Sequence, residues 1–411
     1  MIVSVRPGAP VESTLDAVRA AMAAATGGEV KLRNPAGRPW AVLQFTPLPD
    51  AEARVPLLAS ELAAQFDLTY AEPDFIGSAH GVPPPNDPKY AEQWWSKKIR
   101  IESMWQLTQG SSHVLLAIAD SGICIPSHPD LAGTRFARGY DYTSILFPLD
   151  QVPDDRDGHG THVAGIAAAT ANNFEGVAGA NWSSPVYITR VLNRNAVTAS
   201  AVKLAVNDVA RMVQPSTLMA IVDPLGIWRR RAVINLSFGF QIKFAALEQM
   251  CEETGGGDVI LCVAAFPLGT SNTQIDYPAA LAATYDHVFS VGATDDQDNI
   301  IHPMGMTDYS AITIFAPGTN ILSTVPPFVC PFNQYGNLLY APAQGSSQAC
   351  PIVSGAASLI WSWHRDLSPA DIKQWLIDAA AQVPHDSRTY PRLDLKPISQ
   401  RRRLMDWFRY S

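Results

Sequence analysis

Three short runs of the sequence carry residue types that can act together in acyl transfer. They are AIADSG at 117–122, DGHGTHVAG at 157–165 and GSSQACP at 345–351. Acyl transfer from a peptide bond needs an activated hydroxyl, a base with a pKa near neutrality and a group that orients this base. The runs therefore predict Ser347 as the nucleophile, His159 as the general base and then general acid, and Asp120 as the residue that orients His159.

Each of these residues also has an ordinary structural interpretation when it is taken alone. An isolated Asp or Ser is more often a helix cap, and an isolated His more often a buried structural residue. His159 and Ser347 each precede a small-residue apolar segment that is typical of a buried helix. The N-terminus of such a helix favours developing negative charge. His162, three residues after His159, is interpreted as structural.

The elements that must position these residues are apolar strands alternating with helices. The predicted strands are 114–119, 186–192, 232–237, 259–265 and 288–293, and the predicted helices are 159–171, 198–212, 245–254 and 347–364. Continuous apolar strands with helical crossovers indicate an α/β fold with a mostly parallel sheet covered on both faces. Ligand sites in such sheets lie at the carboxyl ends of the strands, where Asp120 is predicted to lie.

The first 80 residues are predicted to form a separate small α+β unit. Residues 2–5 and 41–45 alternate like strands, while 13–25 and 51–66 have helical apolar spacing, with Ser13 as a candidate N-cap. A linker rich in proline and glycine follows this unit. We therefore expect domains at 1–80 and 81–411.

The bulk composition excludes some classes of partner. The chain has 411 residues, 47% of them hydrophobic, and a net charge of −8, which gives no reason to expect nucleic acid as a partner. No apolar run reaches the ~18 residues that span a bilayer. Five scattered cysteines predict reduced thiols rather than a disulfide framework. The first residues lack a signal-peptide pattern, so we expect a cytoplasmic protein, or a secreted one if a signal was removed.

The three runs occur in the order Asp, His, Ser, and the chain resembles the subtilisin-like serine peptidases at these positions. The resemblance extends to HPDL at 128–131, VINLSFG at 233–239, YPA at 277–279 and APG at 316–318. It implies the three-layer subtilisin-like fold, and a serine endopeptidase that forms an acyl-enzyme on Ser347 and needs no cofactor for its chemistry. A lipase or esterase would need a Gly-x-Ser-x-Gly elbow, which is absent from the sequence.

The resemblance also implies roles for residues outside the catalytic set. Ser237, Phe238 and Gly239 would line the cleft and pair with an extended substrate peptide, with Phe238 shaping the pocket for the residue before the cleaved bond. Asp130 and Asn173 match one structural calcium site of the family, although a turn Asp and a helix C-cap Asn explain them equally well.

The N-terminal unit resembles the inhibitory propeptide of the same family, a small ferredoxin-like α+β domain. Residues 70–74 resemble its last strand, and the tail at 76–80 would then lie in the cleft of its own chain as an intramolecular inhibitor. This resemblance implies self-cleavage near His80–Gly81. An accessory domain that is never removed is the other interpretation.

The sequence departs from the family where an Asn side chain normally binds the oxyanion. The corresponding run is VAAFPL at 263–268, which contains no Asn. Loss of that donor in subtilisin costs about 10²–10³ in turnover. Ser346, Asn272 and Gln348 are the candidates for a replacement donor. The departure keeps a second function open: a nearly inactive or specialised subtilase that binds peptides or matures one dedicated peptide.

Overall fold

The computed structural model describes most of the chain. The described residues are 2–27, 29–33, 38–45, 51–72, 82–124, 128–132, 135–143, 155, 157–194, 196–213, 230–266, 275–301, 309–327, 339–385 and 387–400. The chain divides into two compact units, one within residues 1–81 and one within residues 82–411.

The N-terminal unit is an antiparallel sheet with two helices. Its elements are β1 (Ile2–Val5), α1 (Val11–Thr26), β2 (Val30–Arg33), β3 (Trp40–Phe45), α2 (Ala51–Gln65) and β4 (Leu68–Glu72). The sheet order β2-β3-β1-β4 is ferredoxin-like, as predicted. Helix α1 begins two residues earlier than expected. Pro10 is its N-cap, and Ser13 lies inside the first turn with Oγ donating to the Pro10 carbonyl at 3.3 Å, so the N-cap prediction was wrong.

The larger unit contains the remaining elements. Its helices are α3 (Trp94–Lys98), α4 (Glu102–Trp105), α5 (His159–Ala168), α6 (Ala199–Val213), α7 (Ala245–Thr254), α8 (Ser346–Trp363) and α9 (Pro369–Ala379). Its strands are β5 (Val114–Asp120), β6 (Phe136–Asp141), β7 (Val186–Arg190), β8 (Leu192–Asn193), β9 (Ala196–Val197), β10 (Arg231–Leu236), β11 (Val259–Ala264), β12 (Val288–Thr294), β13 (Ile300–Ile301), β14 (Ile314–Pro317), β15 (Ile321–Thr324), β16 (Tyr340–Ala343), β17 (Ala381–His385) and β18 (Arg388–Arg392).

A large, mostly parallel sheet forms the centre of this unit. Its order is β17-β18-β14-β12-β11-β10-β5-β7-β6, with β13 paired to β12. The pairs from β18 to β6 are parallel, while β17 and β13 join in antiparallel fashion. The strands next to the centre are buried on both faces, which explains why they read as continuous apolar runs.

Helices cover both faces of the sheet and complete three layers. Helices α5 and α8 pack on one face and share an apolar core with it, while α6 and α7 form a second core on the opposite face. This arrangement confirms the predicted α/β fold class. None of the helices in the described ranges is long and apolar enough to cross a bilayer.

Candidate active site

Asp120 lies at the carboxyl end of a central strand. It is the last residue of β5 and is completely buried. Its Oδ1 accepts two hydrogen bonds, from the Ser121 N–H at 2.8 Å and from Nδ1 of His159 at 2.7 Å. A buried carboxylate that accepts a ring N–H holds the imidazole in one tautomer, with Nε2 left to act as a base.

His159 is the first residue of α5, and the chain enters this helix through a glycine. Gly158 has a φ of 95°, a left-handed conformation that is easily reached only without a side chain. The His159 side chain keeps 19% of its surface exposed although its carboxylate partner is buried. The ring therefore lies at the protein surface with its Nδ1 edge turned inward.

The surroundings of His159 raise its pKa above the ordinary value of 6.5. Burial alone lowers the pKa, but the charge and hydrogen bond of Asp120, together with the charges of Asp157 and Asp155, outweigh this effect. His162 behaves in the opposite way. Its ring is fully buried, its Nε2 donates to the Ala341 carbonyl at 3.0 Å, and desolvation lowers its pKa to about 4.

Ser347 lies in the first turn of α8, where a proline one turn later leaves its carbonyl without a helical hydrogen-bond donor. Pro351 has no N–H to donate to the Ser347 carbonyl one turn earlier. The Ser237 hydroxyl donates to that carbonyl instead, at 2.9 Å. In return, the Ser347 hydroxyl donates to the Ser237 carbonyl at 3.0 Å, so this hydroxyl is not hydrogen-bonded to His159 in the structure.

The sheet brings these residues to one edge. Strands β5 and β10 are neighbours, with Ala119 opposite Leu236, so Ser237 follows beside Asp120. Adjacent strands lie about 4.8 Å apart. Since Asp120 bonds to His159 and Ser237 bonds to Ser347, all four side chains lie at the carboxyl edge of two adjacent strands.

Phe238 and Gly239 continue the chain after Ser237 as an open backbone segment. Their N–H and C=O groups make no hydrogen bond within the described part of the chain. The segment closes at Phe240, which exchanges two backbone hydrogen bonds with Tyr277, at 2.7 and 2.9 Å. Unpaired backbone groups next to Ser347 are suited to bind an extended peptide as an added strand.

The structure describes some of the candidate oxyanion donors but not all of them. Ser346 and Ser347 are the first two residues of α8, so their N–H groups have no acceptor within the helix. Gln348 is buried, and its Oε1 has no hydrogen-bond partner among the described residues. Asn272 lies outside the described residues, as do Pro267 and Leu268 of the run that replaces the family's Asn.

The chain matches the subtilase family over residues 111–393, which is more than half of its length. The chain belongs to the subtilase family. It is 32% identical over 302 residues to the thermophilic serine proteinase of a Bacillus species, covering 72% of this chain and 64% of that protein. It is 29% identical over 378 residues to halolysin of Haloferax mediterranei, covering 91% and 65%, and 32% identical over 287 residues to thermitase of Thermoactinomyces vulgaris, covering 69% and 88%. The chain thus spans just under two thirds of the length of the first two of these relatives.

Solved structures show the same fold. A protease from Pseudoalteromonas arctica superposes with a TM-score of 0.61 at 22% identity, covering 78% of this chain and 99% of that one. Sphericase superposes with a TM-score of 0.56 at 24% identity, covering 71% and 91%. Both confirm the subtilisin-like fold predicted from the sequence.

The two residues predicted to bind calcium in this subtilase contact each other. Asn173 donates its Nδ2 hydrogen to Oδ1 of Asp130 at 2.9 Å, and the Val177 N–H donates to Oδ2 at 2.8 Å. Burial raises the pKa of Asp130, and these hydrogen bonds only partly offset this effect. In the described ranges, no group of three or more His, Cys, Asp or Glu side chains could hold a metal ion. These hydrogen bonds tie Asp130 to the chain segment that follows α5, and calcium binding stays a prediction.

Asp155 is a functional candidate that the motif analysis did not single out. It is buried, and its Oδ1 accepts from the Ser121 hydroxyl and the N–H groups of residues 157 and 158 at 2.9–3.0 Å. Its Oδ2 accepts from the N–H and the hydroxyl of Thr161 at 2.9 and 2.7 Å. Asp155 thus joins the end of β5, which carries Asp120, to the start of α5, which carries His159. An Asp four residues before the predicted base was the only signal for it in the sequence.

The structure describes four of the cysteines. Cys251, Cys262 and Cys350 are buried free thiols, and Cys124 is buried as well. Burial raises the pKa of the Cys350 thiol far above its ordinary value, which keeps it protonated and unreactive.

Proposed function

We propose that this chain is a serine endopeptidase whose acyl-enzyme forms on Ser347. The observation that carries the proposal is the 2.7 Å contact between Asp120 and His159, beside the strand end that contacts Ser347. His159 takes the proton of the Ser347 hydroxyl as this hydroxyl attacks the substrate carbonyl, and then passes it to the leaving amine. Asp120 stabilises the imidazolium formed in between.

The hydroxyl of Ser347 must leave Ser237 before it can react. It donates to the Ser237 carbonyl in the structure, and rotation about its side-chain bond would turn it towards the ring of His159. Catalytic hydrogen bonds are often long or poorly aligned without substrate. A peptide laid along Phe238 and Gly239 would place its carbonyl at this hydroxyl, with the first N–H groups of α8 next to the developing oxyanion.

Covalent labelling tests this function. A fluorophosphonate probe is expected to form one adduct on Ser347, and the intact chain is expected to cleave an unfolded protein substrate. Both signals should disappear in Ser347→Ala, while circular dichroism shows an unchanged fold. Serine-directed labelling that persists in Ser347→Ala would contradict the assignment of the nucleophile.

Two observations support a second candidate function. They are the altered oxyanion region and the hydrogen bond that the Ser347 hydroxyl makes to the Ser237 carbonyl. The run VAAFPL at 263–268 contains no Asn in place of the family's oxyanion donor, and Ser347 bonds to Ser237 rather than to His159. Both features favour a peptide-binding or dedicated peptide-maturation subtilase with weak general activity. Peptide binding without any adduct on Ser347 would support this alternative.

We also propose that residues 1–80 act as an inhibitory propeptide of a catalytic domain at 81–411. The ferredoxin-like sheet and the separate core of the N-terminal unit support this proposal. The tail at 76–80 and the expected cut near His80–Gly81 lie outside the described residues. N-terminal sequencing of purified protein tests it, since a start near Gly81 is expected. An intact Met1 in fully active protein would contradict it.

A further inference from the structure

The described segments 237–240 and 265–266 follow β10 and β11, and the space between them is here called the crevice. These strands are parallel neighbours, so both loops begin at the same edge of the sheet as Asp120. Gly239 lies in the first loop and Phe266 in the second, and Asp276 contacts both. Its Oδ1 accepts from the Phe266 N–H at 2.9 Å, while its Oδ2 occupies the space that a Cβ on Gly239 would need. The carboxyl group of Asp276 therefore bridges the two walls of the crevice.

Asp276 is buried, and none of the described residues supplies a positive partner for it. Only 5% of its surface is exposed, and desolvation raises its pKa to about 7 against the effect of hydrogen bonds from Phe266 and its own backbone. No charged group of the described residues contributes to this pKa. The adjoining segments 237–240, 264–266 and 275–278 contain one other titratable group, Tyr277. The nearby Lys243 is paired with Glu248 at 2.7 Å.

The position of the crevice relative to Ser347 tells which part of a substrate would enter it. Ser237 contacts Ser347 through two hydrogen bonds, and Gly239 follows two residues later. A peptide aligned along Phe238 and Gly239, with its carbonyl at Ser347, directs the side chain before the cleaved bond into this crevice. At this point one buried carboxyl group lies against the glycine of the segment along which the substrate would lie. A long aliphatic side chain that ends in a positive charge can reach such a carboxylate while its apolar stem is covered.

We propose that Asp276 is a specificity-determining residue that makes this subtilase prefer lysine or arginine immediately before the cleaved bond. This inference rests on the proposed peptidase function and adds a substrate class to it. The bound cation would supply the counter-charge that none of the described residues provides for the buried carboxylate. Gly239 is required at its position because any larger residue would displace the carboxyl group from the crevice.

The preference should depend on pH in a defined direction. Asp276 is ionised above its pKa of about 7 and protonated below it, whereas a substrate lysine stays charged throughout this range. Preference for lysine over an uncharged side chain is therefore expected above pH 7 and is lost as the pH falls. Ionisation of His159 affects both kinds of substrate equally, so the ratio of their rates reports on Asp276.

The test compares two peptides that differ only in having lysine or glutamine before the cleaved bond. We expect the full chain to cleave the lysine peptide with the higher kcat/KM at pH 8. In Asp276→Asn this ratio should fall by roughly ten- to a hundredfold, the range for a lost hydrogen bond between charged groups. The ratio should also fall between pH 8 and pH 5.5 in the wild type and stay flat in the variant.

Three results distinguish this inference from the function on which it rests. A ratio that is unchanged by Asp276→Asn, or a wild type that prefers glutamine, overturns the inference while the peptidase function stands. A wild-type ratio that is independent of pH also overturns it, and that measurement requires no variant. If neither peptide is cleaved and no probe labels Ser347, the peptidase function itself fails and the inference fails with it.

Discussion

His159 lies among three carboxylates, and each of them affects its chemistry in a different way. Asp120 bonds directly to the ring, Asp155 organises the backbone before α5, and Asp157 acts through its charge. Together they raise the pKa of His159, so in the proposed mechanism they stabilise the imidazolium that forms during attack. They also reduce the fraction of neutral base at low pH, which should set the acid limit of the proposed activity.

Replacing Asp157 should shift that acid limit. In Asp157→Asn, the imidazolium of His159 loses one stabilising charge and its pKa falls. The base then stays neutral to a lower pH, so the acid limb of the kcat/KM profile is expected to move to lower pH while the plateau rate is retained. A pH profile with an uncharged peptide substrate measures this shift.

The matched control is an exposed carboxylate far from the ring. Asp366 follows the end of α8, an 18-residue helix that is about 27 Å long and begins at Ser346. Asp366→Asn should leave the profile unchanged. An acid limb that moves equally in both variants would show that net charge, rather than the local field at His159, sets the limit.

At the scale of elements, small residues allow helices α5 and α8 to pack closely against neighbouring segments. A Cβ on Gly160 would collide with the carbonyl of Gly122, and one on Gly355 with Ala180. A Cβ on Gly165 would overlap the hydroxyl groups of Ser323 and Thr324, which donate to carbonyls of α5 at 2.7 and 2.8 Å. The small residues that the sequence shows in these helices are thus explained by contacts with β15 and with the turn after β5.

A methyl group at position 165 should therefore displace α5. Gly165→Ala is expected to destabilise the protein by about 1–3 kcal/mol through overpacking, although alanine is the better helix former. Since His159 begins this helix, turnover should fall as well. Urea unfolding and peptide hydrolysis measure the two effects.

Gly256→Ala provides the control for this substitution. A Cβ at Gly256 meets no atom within 4 Å, so the same change there should leave stability and turnover nearly unchanged. Equal effects at both positions would mean that close packing of α5 does not explain the glycine at 165.

At the scale of the whole molecule, the two units have separate cores. One cluster of buried residues lies entirely in the N-terminal unit and includes Leu15, Val18 and Leu43. The other two clusters lie on the two faces of the large sheet and consist only of residues from the larger unit. Each unit therefore has the apolar burial that a folded domain requires.

Shortening a buried side chain in the core of one unit should destabilise that unit and leave the other unchanged. Leu15→Ala is expected to destabilise the N-terminal unit by about 2–5 kcal/mol, because it leaves a cavity beneath α1. Hydrogen exchange should then speed up in peptides from α1 and β3, with peptides from β10 and β11 unaffected. Leu359→Ala in α8 is the reciprocal control, with the opposite distribution expected. Faster exchange throughout the chain in both variants would contradict separate cores.

Local signals in the sequence were sufficient for much of the architecture. The capping box at Ser368 and Asp371, with proline between them, predicts the start of α9, and the structure shows both of its hydrogen bonds. The apolar strands were predicted to within about two residues. Strands β6, β14 and β18 were missed because they are short or mixed in polarity. They are stabilised by pairing with neighbouring strands, which their own residue pattern does not reveal.

The sequence alone indicated the residue types of the proposed catalytic set, their order and the family, because each motif is a short continuous segment that can be recognised without the fold. Tertiary structure decided which partners these residues meet. Ser347 bonds to Ser237, Asp155 joins β5 to α5, and Asp276 meets Gly239 across two loops. These contacts join segments that are distant along the chain, and they depend on strand register and on the space left by glycine, which no local pattern specifies.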